Sequence, residues 1–278
     1  MSHRIFAFGS LQIRGESGPL LLKGDKARGL LAYLVLRPRV AHRREMLADL
    51  LWQDAAPERV RRNLSDVLYR LQKELDADWL VADAESITLQ PTPNLWVDIW
   101  EFDRLLATHD SVNLQKAVDL YTGELLPDIY DDWILPEREL RRSQFISALE
   151  ILSTQYESQG KLQEALLSTR RLILTQSLHE PAHQMYIRLL GRLRRFGEAF
   201  AHYDYLCTLL RNELDAKPMA ETEALIVALA RERDLGDAPL AMEEAHPFVG
   251  RKVERATALA VVEEMLTGNG SLLTVEGE

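Results

Sequence analysis

Apolar positions along the first 93 residues recur with two different periods. IFAFGSLQI (5–13) and LLL (20–22) are short apolar runs separated by the turn-rich RGESGP, and they predict strands. Three segments with helical spacing follow: Lys26 to Leu36, Arg43 to Leu51, and a stretch opening at Pro57, joined by the short RPRVAH and WQDAAP. The third, PERVRRNLSDVLYRLQKEL (57–75), is the clearest. Proline at the first helical position sacrifices no hydrogen bond. Val60, Leu64, Val67, Leu68, Leu71 and Leu75 form one stripe when wound as an α-helix, so that side predicts a core face. WLVADAESITLQP then predicts a hairpin, with Val81 on one arm and Ile87 and Leu89 on the other.

From Leu95 to about Arg233 strand and turn signals nearly vanish, and Ala, Leu, Glu, Gln and Arg at helical spacing take over. This half repeats itself. YESQGKLQEALLSTRRLI (156–173) aligns with LGRLRRFGEAFAHYDYLC (190–207) at an offset of 34, the tetratricopeptide period, which superposes Ala165 on Ala199. Small residues there suit two closely paired helices, each unit burying its apolar face on a neighbour. Residues 234–246 read as a linker. The last stretch, 247–278, reads as an amphipathic helix and a strand, LLTV, running into Gly277. The expected fold is therefore mainly α with a small α+β N-terminal domain, divided as 1–93, 94–233, 234–246 and 247–278.

Charge sharpens this division. The 278 residues carry a formal net charge of −10, yet residues 1–93 hold 14 basic against 12 acidic side chains and the remainder 19 against 31. Within Arg37 to Lys73 the count is 9 to 5, a local positive surface on an acidic protein. The single Cys207 cannot form an internal disulfide, and MSHRIFAFGS lacks the apolar core of a signal peptide, so the expected compartment is the cytoplasm. No apolar run approaches the roughly 18 residues that a membrane-spanning helix needs.

HEPAH (179–183) matches the zinc-protease pattern H-E-x-x-H in letters only. That chemistry needs both histidines on one face of an unbroken helix, and Pro181 forbids an interior position. The proline instead predicts a helix start with His179 in the preceding turn. His3, His42, His109, His202 and His246 are scattered, and no nucleophile, base and acid cluster in sequence, so no enzyme is expected.

The face of 57–75 opposite its apolar stripe holds Arg59, Arg62, Asp66, Tyr69, Arg70 and Lys73. A plain solvated helix is the bland explanation, but the helix follows a second basic segment, Arg37, Arg39, Arg43 and Arg44, and precedes a hairpin. That order matches a winged helix-turn-helix, whose second helix lies in the major groove while flanking cations hold phosphates. Arg62, Asp66 and Tyr69, with Arg59 adjoining, are the candidates for base edges: Arg can donate twice to guanine and Asp can accept from cytosine N4. Arg43, Arg44, Arg70 and Lys73 are the candidates for phosphate. Unpaired N–H groups at the start of the segment 43–51 would add to that attraction.

KARGLLAYLVLRP, RREMLADLLW and RRNLSDVLYRLQKEL together resemble the OmpR-type winged helix of SARP-type bacterial transcriptional activators. AVDLYTGELLPDIYDDWILPERELRR and the repeats ending NELDAKPMAET resemble the bacterial transcriptional activator domain that accompanies it, most specifically at Tyr121, Gly123, Leu125, Leu126, Trp133 and Glu137-Arg138-Glu139. The resemblance covers about residues 3–232. It departs at Asp215, where the family usually has Gly. It implies sequence-specific binding to double-stranded promoter DNA, commonly at direct repeats, and activation through RNA polymerase, with Trp52, Gln53 and Asp54 on the polymerase-facing loop. A homodimer through the helical half is compatible with it. The alternative function is a tetratricopeptide-like protein-interaction scaffold.

The tail 247–278 resembles the entry to a STAND or AAA-type ATPase module, with FVGR upstream and LLTVEGE as the strand and first glycine of a phosphate-binding loop. The Lys and Ser/Thr that such a loop needs are absent, so no cofactor is expected within these residues. ATP belongs to a C-terminal domain expected beyond them.

Overall fold

The computed structural model describes residues 2–52, 57–75 and 77–236. The expected linker and ATPase-like tail lie outside them except for the first residues of the linker, and so do Gln53 and Asp54.

A four-stranded sheet opens the chain. Strands β1 (His3–Phe6), β2 (Gln12–Gly15) and β3 (Gly18–Leu20) form an antiparallel meander, and β7 (Leu95–Val97) joins its other edge in parallel with β1, giving the order β3-β2-β1-β7. The run 5–13, expected as one strand, is two. Gly9 at φ 100° turns the chain there, and the N–H groups of Ala7 and Phe8 leave the ladder for the Asp98 carboxylate at 2.7 and 2.9 Å. The third strand also begins earlier than LLL. Gly15 pairs with Gly18 across a two-residue turn, and Leu21 is left exposed.

The helices α1 (Asp25–Leu36), α2 (Arg44–Leu51) and α3 (Pro57–Leu75) follow within a residue of the expected limits. In α1, Ala27, Gly29, Leu30, Leu31, Ala32, Leu34 and Val35 are buried on nearly every side, which makes it the central helix. The expected hairpin is present as β5 (Leu80–Ala82) and β6 (Ser86–Leu89). A two-residue strand, β4 (His42–Arg43), pairs with β6 and closes a three-stranded wing in the order β4-β6-β5.

The helical half runs through α4 (Asp98–Leu106), α5 (Ser111–Leu120), a 3₁₀ turn (Asp132–Ile134), α6 (Leu135–Ser158), α7 (Leu162–Thr175), α8 (Glu180–Arg192), α9 (Phe196–Leu214) and α10 (Ala220–Gly236). The repeat holds down to single hydrogen bonds. Lys161 N–H donates to Tyr156 O at 2.9 Å and its counterpart Arg195 N–H to Leu190 O at 2.9 Å, while Gly160 and Arg194 both take positive φ in the turn between them. Ala165 and Ala199 are fully buried where the paired helices approach. The apparent zinc pattern is dismantled: His179 precedes α8, and Glu180 accepts from Met219 N–H at 2.6 Å and from Thr222 Oγ at 2.5 Å, at the start of α10. His183 is buried against Ser177 O and His202.

Residues 1–229 form one compact unit, and a second begins at Ala230, of which the described part is the end of α10. One hydrophobic core runs from Ile5 on β1 to Ala182 on α8, so the expected boundary at Pro93 does not interrupt the packing.

Candidate nucleic-acid interface

The six apolar residues expected to form the core face of α3 are all buried: Val60, Leu64, Val67, Leu68, Leu71 and Leu75 are between 0% and 4% exposed. Burial of that stripe fixes the rotation of the helix, so the opposite face has to point outward. Arg59, Arg61, Arg62, Ser65, Asp66, Tyr69, Arg70 and Lys73 are all exposed. Tyr69 is 62% exposed, and the Lys73 ammonium sits 5.8 Å from its ring centre, an aromatic and a cation held side by side. All six candidates on this helix therefore share one outward surface.

The two candidates at the start of α2 are not equivalent. Arg43 is exposed, whereas Arg44 is half-buried and already engaged. Its Nε donates to Asp83 O at 2.9 Å, its Nη1 to Ser65 Oγ at 3.4 Å, and its backbone N–H to Glu85 O at 2.9 Å. The N–H group expected to be open to an anion is thus taken by the wing. The Arg44 side chain ties three elements together, β6 through its turn, α2 and α3.

Arg61, which the sequence reading passed over, pairs with Glu45 across the mouth of an open cleft of about 570 Å³, at 3.0 Å and with both side chains at least 70% exposed. The cleft is also lined by Arg43, Arg44, Ser65 and Glu85. The spacing Arg61, Ser65, Tyr69 is an i, i+4, i+8 strip, a signal that was available in the sequence.

Of the polymerase-facing candidates, Trp52 is half-buried and packs against the main core; the others lie outside the described residues. Among the described residues no group of three or more His, Cys, Asp or Glu could hold a metal ion, and no helix is long and apolar enough to cross a membrane.

The residues that carry the resemblance in the helical half gather at its seam with the winged helix. Leu125 bridges Phe8 and Gly9, and Leu126 N–H donates to Ala7 O at 2.9 Å. Tyr121 stacks on Phe145 with ring centres 4.1 Å apart and touches Phe8, and a Cβ on Gly123 would stand 3.8 Å from the Gly9 backbone. Trp133 meets the Tyr33 ring edge-on, and Glu137 pairs with Arg37. Arg138 donates to Leu125 O, Leu126 O and Ile129 O. Arg28 and Asp128 form a further ion pair across the seam, and Trp100 Nε1 donates to Val35 O.

Residues 97–230 match the family model of the bacterial transcriptional activator domain. Among solved structures the fold is similar to Mycobacterium tuberculosis EmbR, described in complex with a low affinity phosphopeptide, at 20% identity and a TM-score of 0.66, over 95% of this chain and 70% of that one. No curated protein matches. The family match is to that domain, and the likeness to the solved structure is one of fold.

Proposed function

We propose that this chain, which carries a bacterial transcriptional activator domain behind a winged helix, is a sequence-specific DNA-binding transcriptional activator that reads promoter direct repeats through α3 and contacts RNA polymerase. The observation that carries the reading is the rotation of α3. Its whole apolar stripe is buried and its cationic, aromatic-bearing face is free, as a helix entering the major groove requires. Arg62, Asp66 and Tyr69, with Arg59, are assigned to base edges, and Arg43, Arg70 and Lys73 to phosphates. Arg44 is assigned to holding the wing through Asp83 O and Ser65 Oγ. The polymerase contact is assigned to the α2–α3 connection beginning at Trp52.

A protein-interaction scaffold would leave the winged helix as an accessory. The seam argues against independence of the halves, because the helical half supplies a strand and a capping carboxylate to the first sheet.

The test is binding of the full chain to duplex DNA across a salt series. Each phosphate neutralised steepens log affinity against log salt by roughly 0.9, so the three assigned phosphate contacts give a slope of about −3. Affinity that is flat with salt, or no binding at low salt, refutes the assignment.

A further inference from the structure

The wing beside this basic helix carries the opposite charge. Its tip is Asp83-Ala84-Glu85, all three exposed, with no Lys or Arg in the turn. The tip is also rigid. Asp83 Oδ1 accepts from Glu85 N–H at 2.8 Å and Ser86 N–H at 2.7 Å, and Ser86 Oγ donates to Oδ2 at 3.1 Å. These donors hold the Asp83 carboxyl below the usual carboxylate range, so it stays ionised. Arg44 anchors the same turn to α2 and to Ser65 of α3. Glu85 therefore stands on the wall of the cleft whose other wall is Arg61 and Ser65, next along the helix to Arg62 and Asp66.

We propose that this tip is an acidic guard: Glu85, with Asp83 behind it, repels the phosphate backbone along the wing side of α3, which weakens binding to DNA of any sequence and leaves discrimination to Arg62, Asp66 and Tyr69. The proposal rests on the DNA-binding reading above. The reason for it is geometric. A duplex lying on Arg62, Asp66 and Tyr69 runs its backbone past the cleft, where the Asp83 carboxylate is pinned and the backbone of Glu85 is anchored, so the acidic tip stays beside α3. Repulsion of this kind acts equally on every sequence, because phosphates carry no base information.

The experiment uses the full chain, a random-sequence duplex and fluorescence anisotropy over a salt series, with Glu85→Gln, Glu85→Lys and, as a control with the same change in net charge, Glu213→Lys at the exposed end of α9. One unit charge about 5 Å from a phosphate, well inside the Debye length at low salt, changes affinity by about threefold, so at low salt Glu85→Gln should bind about threefold tighter and Glu85→Lys about tenfold tighter. Glu85→Lys should also steepen the salt slope by about 0.9, as one new phosphate contact does, while Glu213→Lys stays within about twofold of the parent. Wild-type binding with Glu85→Lys unchanged in affinity and slope overturns the guard alone, as does weaker binding by Glu85→Gln, which would mean Glu85 itself accepts from DNA. No salt-dependent binding by the parent or any variant overturns the DNA-binding reading and the guard together.

Discussion

The Arg37 guanidinium meets the Glu137 carboxylate at 3.0 Å, joining α1 of the winged helix to α6 across one hundred residues of sequence. It also lies 4.2 Å from the centre of the Tyr33 ring, which forms a T-shaped pair with Trp133. Both charged side chains are mostly covered, so losing one partner leaves a partly desolvated charge. Glu137→Ala should destabilise the protein by about 2 kcal/mol in urea unfolding, and in a double-mutant cycle with Arg37→Ala the coupling should reach about 1 kcal/mol. Additive losses would show that the pair does not act across the seam.

Arg138 works on one side of that seam, holding the turn whose Leu125 bridges to Phe8 and Gly9. Its Nε and Nη2 donate to three carbonyls in the turn 125–129, a fork that the single ammonium of lysine cannot reproduce. Arg138→Ala leaves those carbonyls to find other donors and should cost about 3 kcal/mol, with Arg138→Lys recovering less than half. Full recovery by lysine in the same unfolding assay would mean that charge alone, and not the fork, matters there.

Much of this architecture was legible in the sequence, and the part that was not has a common cause. The face of α3 could be read because an amphipathic helix repeats its burial pattern locally; the 34-residue repeat could be read for the same reason. Strand β4 could not, because two residues carry no period. Asp98 reads as an acidic residue at a helix start, which it is, since its carboxylate accepts its own helix's Ile99 N–H. Its larger role, accepting from Ala7 and Phe8 some ninety residues earlier, has no local signature beyond an acid set in the apolar run LWVDIW. Arg44 was expected to face phosphate for the same reason: its partners Asp83 and Ser65 are distant in sequence.

The seam predicts where the folding unit ends. Residues 1–93 lack β7, the Asp98 acceptor and Leu125, so the N–H groups of Ala7 and Phe8 and one face of the sheet lose their cover. That fragment should show no cooperative thermal transition by circular dichroism, whereas residues 1–236 should melt in one. A cooperative melt of 1–93 would show that the winged helix is autonomous.

On the DNA-binding face two substitutions separate the assigned roles. Arg43→Ala should weaken binding to every sequence alike and flatten the salt slope by about 1, as loss of one phosphate contact does. Arg62→Ala should cost roughly 1–3 kcal/mol at the preferred site and much less on random duplex, compressing the ratio between them. A selected pool of bound duplexes supplies the preferred site, and an unchanged ratio for Arg62→Ala removes that residue from base reading.

Asp215 closes α9 in the left-handed conformation, at φ 48° and ψ 39°, with Ala216 N–H reaching back to Leu210 O at 3.2 Å. A glycine would hold that geometry without the steric penalty of a Cβ, which is about 1 kcal/mol or somewhat more for an L-residue. Asp215→Gly should therefore raise stability by roughly 0.5–1 kcal/mol, the larger unfolded-state freedom of glycine offsetting part of the gain. A fall in midpoint temperature would show that the aspartate side chain stabilises the cap by more than its strain.

The half-buried His202 and the buried Asp98 give the protein opposing responses to acid. His202 packs against His183, Tyr186 and Tyr205, with His183 Nδ1 2.9 Å from its Nε2, and burial followed by the neighbouring His183 lowers it from 6.5 to about 4. The unfolded chain takes up that proton near pH 6.5 and the folded chain only near 4, so His202 removes stability as pH falls through this window. Asp98 acts with the other sign. Burial raises its carboxyl to about 6 despite the N–H groups of Phe8, Ala7 and Ile99, so the folded state holds a proton that the unfolded state has released, and stability from this group rises as pH drops from 6 towards 3.8. His202→Phe keeps an aromatic ring in place and removes the first response only. The stability difference between His202→Phe and the parent, from urea unfolding at several pH values, should shift in favour of the variant between pH 6.5 and 4 and stay level above 7. A difference that is constant across the whole range would show that the imidazole pair accepts its proton as readily folded as unfolded.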